Sequence, residues 1–234
     1  GSFGPPTIDG DTVYVGSTGG RLRAVAIPTG KERWSYKVEE DLATRPAVAR
    51  GAVYVASLQD SVHCVDAATG AWRWHHRREP KGEGFTIFGA AAATIGADAV
   101  YGAYSDGFVA ALDPKTGAVR WEKRVAPADG HLDVDALALD GTRLYAAASS
   151  GAILALDVRT GDTIWTSQAP GAAQVGLAGG LVVAVTATSV HGISPVDGGT
   201  IWTAPLGAGG AAGAPVVVGK WILVPAGPGG LRWI

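Results

Sequence analysis

The chain has 234 residues, 47% of them hydrophobic, with 21 acidic and 19 basic side chains and a formal net charge of −2. That balance lacks the basic surplus of nucleic-acid binders, and no apolar run approaches the ~20 residues that cross a bilayer. A single cysteine, Cys64, excludes an internal disulfide and any multi-cysteine metal cluster.

Taken in order, the chain repeats one phrase. Residues 11–26, DTVYVGSTGGRLRAVA, read as a strand, a glycine turn and a second strand, and they run into AVAIPTGKERW with Thr29, Gly30 and Trp34. The second copy, residues 44–77, gives the clearest division into four short strands, at 46–49, 53–57, 61–65 and 72–77. Its phrase is CVDAATGAWRW, with Asp66, Thr69, Gly70 and Trp74. The third is VAALDPKTGAVRW, with Asp113, Thr116, Gly117 and Trp121. The fourth, ALDVRTGDTIW, carries Asp157, Thr160, Gly161 and Trp165. A weaker fifth, GISPVDGGTIW, carries Asp197, Gly198 and Trp202. A sixth copy begins within 214–234, and in register with the third Ile234 falls on Leu112, one residue before the motif aspartate.

Successive motif tryptophans stand 40, 47, 44 and 37 residues apart. A period of roughly 40–45 residues with a tryptophan signature belongs to propeller blades. The expectation is therefore an all-β fold, a β-propeller of four-stranded antiparallel blades, as one domain over 1–234. Blades are expected at about 5–38, 44–77, 88–125, 134–168 and 174–204, with a partial sixth at 213–234. The missing outer strand of the sixth leads us to expect a fragment of a seven- or eight-bladed ring, since an open ring leaves unpaired edges.

Each motif position has a physical reason. Gly30, Gly70, Gly117 and Gly161 are expected at positive φ, which costs glycine little. Asp66, Asp113 and Asp157 can accept backbone N–H groups two residues on. Trp34, Trp74, Trp121, Trp165 and Trp202 offer a large apolar face and one N–H donor, suited to fixing blade-to-blade spacing. A feature built five times over is a joint, so function is sought where the repeats differ.

Three places differ. The connection 75–89, HHRREPKGEGFTIFG, is basic, then glycine-rich, then aromatic, and Arg77, Arg78, Phe85 and Phe88 are candidate partner-binding residues. His75 and His76 are adjacent on a strand, so they point to opposite faces and cannot chelate together. The equivalent connection one blade earlier carries the candidates Glu39, Glu40 and Asp41. A mixed acidic and basic rim suits protein docking. In DGHLDVD, residues 129–135, Asp129, His131, Asp133 and Asp135 alternate and would share one face of a strand, an oxygen-rich set of the kind that suits Ca²⁺. The spacing is not that of a helix–loop–helix calcium site, and the expectation there is a solvated loop. Cys64 stands where other copies have alanine and is expected to pack as a small apolar residue. No nucleophile–base arrangement is visible, so no catalytic residue is assigned.

The phrase A-x-D-x-x-T-G-x-x-x-W resembles the PQQ-like repeat of quinoprotein propellers. Ala111, Asp113, Thr116, Gly117 and Trp121 match it in full, as do Ala155, Asp157, Thr160, Gly161 and Trp165. Within that superfamily the chain looks most like BamB-type lipoproteins of the outer-membrane β-barrel assembly machinery. The resemblance implies a non-enzymatic scaffold with no cofactor, protein partners that include a β-barrel assembly component, and a place on the periplasmic side of the outer membrane. It also implies a lipid anchor outside this segment. A second branch, the quinoprotein dehydrogenases, would bring PQQ and Ca²⁺, often with an adjacent cysteine pair that a single cysteine excludes. A third uses the propeller as an extracellular sensor beside a kinase domain.

Overall fold

A computed structural model describes residues 1–78, 91–126, 133–206, 216–218, 221–226 and 230–233. These residues form strands and turns, and none of them lies in a helix long and apolar enough to cross a membrane.

Short alternating runs separated by glycine turns can only satisfy their backbone by pairing with chain neighbours. β1 (Thr7–Asp9), β2 (Thr12–Val15), β3 (Arg21–Ala26) and β4 (Glu32–Lys37) form the first sheet in that order. β5 (Ala47–Ala49), β6 (Ala52–Ala56), β7 (Ser61–Asp66) and β8 (Trp72–Arg77) form the second. The third holds β9 (Thr94–Ile95), β10 (Val100–Ala103), β11 (Phe108–Leu112) and β12 (Val119–Arg124). The fourth holds β13 (Val134–Leu139), β14 (Arg143–Ala148), β15 (Ala152–Asp157) and β16 (Thr163–Gln168). The fifth holds β17 (Ala172–Ala178), β18 (Leu181–Thr186), β19 (Ser189–Ile193) and β20 (Thr200–Pro205). Among the described residues the sixth has three strands, β21 (Val216–Val218), β22 (Trp221–Ala226) and β23 (Gly230–Trp233). Neighbouring strands pair antiparallel in every sheet. The second sheet follows the strands read from sequence to within a residue.

The chain divides into two compact units, residues 1–105 with 110–122, and residues 106–109 with 123–234. In the first unit, one core packs Tyr14, Leu22, Ala24 and Trp34 of the first sheet against Val53, Val55 and Val65 of the second. Another packs Tyr54, Cys64 and Trp74 against Val100, Ala110 and Leu112. In the second unit, Tyr145, Ile153 and Trp165 meet Val175, Val182 and Ile193. The middle strands of the second, third and fourth sheets are buried on both faces, as the all-buried pattern of β6 records, and these cores lie between neighbouring sheets of the same unit.

The turn that closes each outer hairpin explains the motif. The Gly70 N–H donates to Asp66 O at 2.9 Å, Gly117 to Asp113 O at 2.8 Å, and Gly161 to Asp157 O at 2.9 Å. Gly30, Gly70, Gly117 and Gly161 have φ of 65, 72, 73 and 76°, as the turn requires. Asp66 Oδ1 accepts from the N–H groups of Ala68 and Thr69 at 3.0 and 2.9 Å. The Arg73 guanidinium, 2.7 Å from Oδ2, leads the interactions that hold the Asp66 carboxyl down at about 2. Arg120 does the same for Asp113, also held at about 2.

The tryptophan of one sheet lies on the turn of the next. Trp34 Nε1 donates to Ala67 O at 3.0 Å, Trp74 to Pro114 O at 3.0 Å, and Trp165 to Pro195 O at 2.9 Å. A tyrosine stands beside each ring, with centroids 5.8 Å apart for Tyr14–Trp34 and Tyr54–Trp74 and 5.7 Å for Tyr145–Trp165. The turn glycine carries the ring itself. A Cβ at Gly70 would stand 2.6 Å from Trp34, and one at Gly198 would stand 2.7 Å from Trp165. Glycine is thus required twice, for its φ and for the contact.

The fifth tryptophan departs from this pattern. Gly192 occupies the position of Ala24, Cys64 and Ala155, directly across from the tryptophan. A Cβ there would stand 2.2 Å from Trp202 Cε2. Gly192→Ala, a change toward the repeat consensus, is therefore expected to destabilise by about 1–3 kcal/mol, the usual cost of overpacking. Urea unfolding followed by tryptophan fluorescence measures it. An unchanged or raised midpoint would refute the contact.

Candidate functional site

The connection from β4 to β5 and the turn from β6 to β7 meet on one rim of the first unit. The Leu58 N–H donates to Asp41 O at 2.9 Å, and Gln59 Oε1 accepts from the Asp41 N–H at 2.8 Å. The acidic trio is thereby divided. Glu39 is exposed and Asp41 is half-buried. Glu40 turns inward to His63, with Oε2 3.2 Å from Nε2. Arg77 is 57% exposed and stands 3.8 Å from Glu40 Oε1. Arg78 is 9% exposed and pairs with Glu122 at 2.6 Å, its guanidinium over the Tyr104 ring. Phe85 and Phe88 lie outside the described residues, as do Asp129 and His131. Of the candidates named from sequence and described, Glu39 and Arg77 face solvent most fully.

His63, which the strand period sets on the face opposite its neighbour Cys64, is the centre of this cluster. Its side chain is 5% exposed, Nδ1 is 3.3 Å from the Tyr36 hydroxyl, and its ring stacks on His75 at 5.8 Å. A carboxylate can only accept, so Nε2 carries the proton given to Glu40 and Nδ1 accepts from Tyr36. Burial lowers the His63 pKa below 6.5, and Glu40 offsets only part of that. Burial also pushes the Glu40 carboxyl up, but hydrogen bonds from Ser57 and His63 outweigh it and leave the carboxyl below its ordinary value. The pair is therefore a neutral imidazole on a carboxylate near pH 7.

Protonation of His63 disfavours the folded state. The unfolded chain takes a proton on this histidine at a higher pH than the folded chain does. Stability is complete above 6.5 and is lost as pH falls through the lower folded value. We expect the urea midpoint to drop between about pH 7.5 and about pH 5.5, and to drop less in His63→Gln, which keeps a donor for Glu40. Equal slopes in the two proteins would remove His63 as the cause.

Two further ties join the second and third sheets within this unit. Asp60 has φ of 60° in a turn position that other copies fill with Gly20, Gly107 and Gly151. Its carboxylate accepts from the Ser105 N–H at 2.7 Å and from the Ser105 hydroxyl at 2.5 Å. Arg50, with φ of 52°, donates to the carbonyls of Gly96 and Ala97. A non-glycine residue in a glycine position was the available signal for Asp60.

Cys64 is fully buried among Tyr54, Val62 and Trp74, and burial pushes its thiol up to about 11. His63 points to the other face of β7. Burial, with Asp133 adding to it, raises the Asp135 carboxyl to about 6. Among the described residues no group of three or more His, Cys, Asp or Glu side chains is placed to hold a metal ion.

What the arrangement offers is edges. β4, β8, β12, β16 and β20 each end a sheet, with pairing on one side only among the described residues. They carry the exposed apolar side chains Trp72, Val119, Ile164 and Ile201.

Comparison with known proteins fits this architecture. The family model for outer membrane protein assembly factor BamB matches residues 1–204. No curated protein matches the sequence. Among solved structures, BamB from Moraxella catarrhalis superposes with a TM-score of 0.85 at 24% identity, over 99% of this chain and 72% of that one. The computationally designed Ika8 protein superposes with a TM-score of 0.82 at 14% identity, over 99% and 70%. At these identities the likeness speaks for the fold, an all-β propeller of four-stranded antiparallel blades.

Proposed function

We propose a function from one established premise: the chain belongs to the family of outer membrane protein assembly factor BamB. The chain is a non-enzymatic protein-binding scaffold that serves β-barrel assembly on the periplasmic side of the outer membrane. One observation carries this reading. Among the described residues the repeated polar side chains are consumed in turns and joints, and strand edges paired on one side only and a mixed-charge rim stay exposed. Such surfaces hold an extended partner by main-chain pairing, with side chains setting specificity. Glu39 and Arg77 are its exposed rim contacts, with Phe85 and Phe88 assigned to the same role. Glu40, Asp41 and Arg78 act as supports that hold the rim in shape.

Co-purification of the tagged chain from native membranes tests the role, and barrel-assembly components are expected in the eluate. Their absence would withdraw the assembly function. A parallel titration with PQQ and Ca²⁺ tests the enzyme reading. Stoichiometric binding with dye-linked alcohol oxidation would overturn the scaffold.

A further inference from the structure

We infer that the outer edge of β8 is the docking strand for an extended, acidic segment of the protein partner, which adds to the second sheet as a fifth strand. This rests on the scaffold reading above and narrows it to one edge and one partner chemistry.

The backbone supplies the first argument. The Arg78 N–H points into the sheet, to Asp60 O at 2.9 Å. Directions alternate along an antiparallel ladder, so Trp74 and His76 also pair inward with β7. The N–H and C=O groups of His75 and Arg77 therefore face outward, on an edge that pairs with no other strand among the described residues. The bulge opposite Val65 lies N-terminal to this stretch, which leaves 74–77 in regular register to receive a strand.

Side chains supply the second. His75 and Arg77 share a face because strand residues alternate. Arg77 is 57% exposed. Trp72 is 58% exposed, with its ring 6.5 Å from that of His75. An incoming strand thus meets a cation and an aromatic surface beside the two residues that would pair with it.

Charge then selects the occupant. β8 reads WRWHHR and has no acidic residue. The other cationic outer strands, β4 and β12, contain Glu32 and Glu122, and β16 and β20 contain no charged residue. A second copy of this chain pairing along the same edge would set each Arg77 against a strand with no countercharge, which disfavours self-association. Glu40 approaches the Arg77 guanidinium only at 3.8 Å and leaves it 57% exposed, so an acidic strand can place a second carboxylate there, and the pairing adds affinity as well as register.

The test uses the whole chain and a fluorescein-labelled peptide of alternating valine and glutamate, read by anisotropy. Saturable binding is expected. Arg77→Glu should weaken it by roughly tenfold or more, while Arg77→Lys keeps most of it. The lysine counterpart of the peptide should bind at least about tenfold more weakly. Methylating the peptide nitrogens on its pairing edge should abolish binding. Retained tryptophan fluorescence and urea midpoint in Arg77→Glu exclude a folding defect. Equal binding of acidic and basic peptides, undiminished binding of the methylated peptide, or an unchanged affinity in Arg77→Glu would each overturn the assignment. Recovery of barrel-assembly components separates this from the broader reading. If wild type and Arg77→Glu recover them equally, the scaffold stands and the β8 assignment falls. If neither recovers them, both fall.

Discussion

Trp74→Ala is expected to lower the unfolding free energy by about 3–5 kcal/mol, the range for removing a large buried aromatic. The side chain is 4% exposed and sits in the core shared by the second and third sheets. Its loss removes three things together. The ring leaves a void beside Tyr54, whose centroid lies 5.8 Å away. The Pro114 carbonyl loses its indole donor. The Gly117 turn loses the surface on which it rests. Trp72, two residues earlier and 58% exposed, is the internal control, because its truncation uncovers no core. Urea unfolding of Trp74→Ala and Trp72→Ala gives the comparison. Similar midpoints for the two would show that the joint does not carry stability. Stability in a repeat array is largely a nearest-neighbour sum, so the loss should fall first on the second and third sheets. Hydrogen exchange at Val62 and Val100 reports it.

Gly117→Ala is the second large effect. The residue holds φ of 73°, where a side chain costs about 1–2 kcal/mol. A Cβ would also stand 2.6 Å from Trp74 Cε3. The ring must shift or the turn must open, and the total is expected at about 2–4 kcal/mol, with the clash in the overpacking range. The two contributions separate in a double-mutant cycle. With Trp74 already alanine, only the backbone cost remains. Gly117→Ala should then be milder by about 1–2 kcal/mol, a coupling of the size seen for residues in contact. Additive effects would show that φ alone explains the glycine.

The same pair shows how far the sequence reaches. Gly117 follows a threonine in a turn between apolar runs, so its positive φ was legible. Its contact with Trp74, 43 positions earlier, was not, because nothing in the local pattern states which ring faces which turn. The rim divides in the same way. Glu39, Glu40 and Asp41 are equivalent as letters. Only the arrival of His63 from the next sheet turns the Glu40 carboxylate inward, while Gln59 holds the Asp41 backbone and Glu39 stays outside. Arg78 was read as a docking cation, yet its guanidinium lies over Tyr104 and pairs with Glu122.

By itself the sequence determined the repeat, the strand order within each unit, the turn chemistry and the opposite facing of His63 and Cys64. All of these follow from hydrogen-bonding geometry within about ten residues and from a side-chain period of two along a strand. The tertiary structure decided which polar residues are supports and which are surface, and why Gly192 stands against Trp202 where other copies have a larger residue. Those outcomes depend on contacts between strands and between sheets, from 10 positions apart for Gly192 with Trp202 and 23 for Glu40 with His63 to 45 for Asp60 with Ser105. Burial changes a charge from a solvated group into a hydrogen-bonded strut only once its partner has arrived.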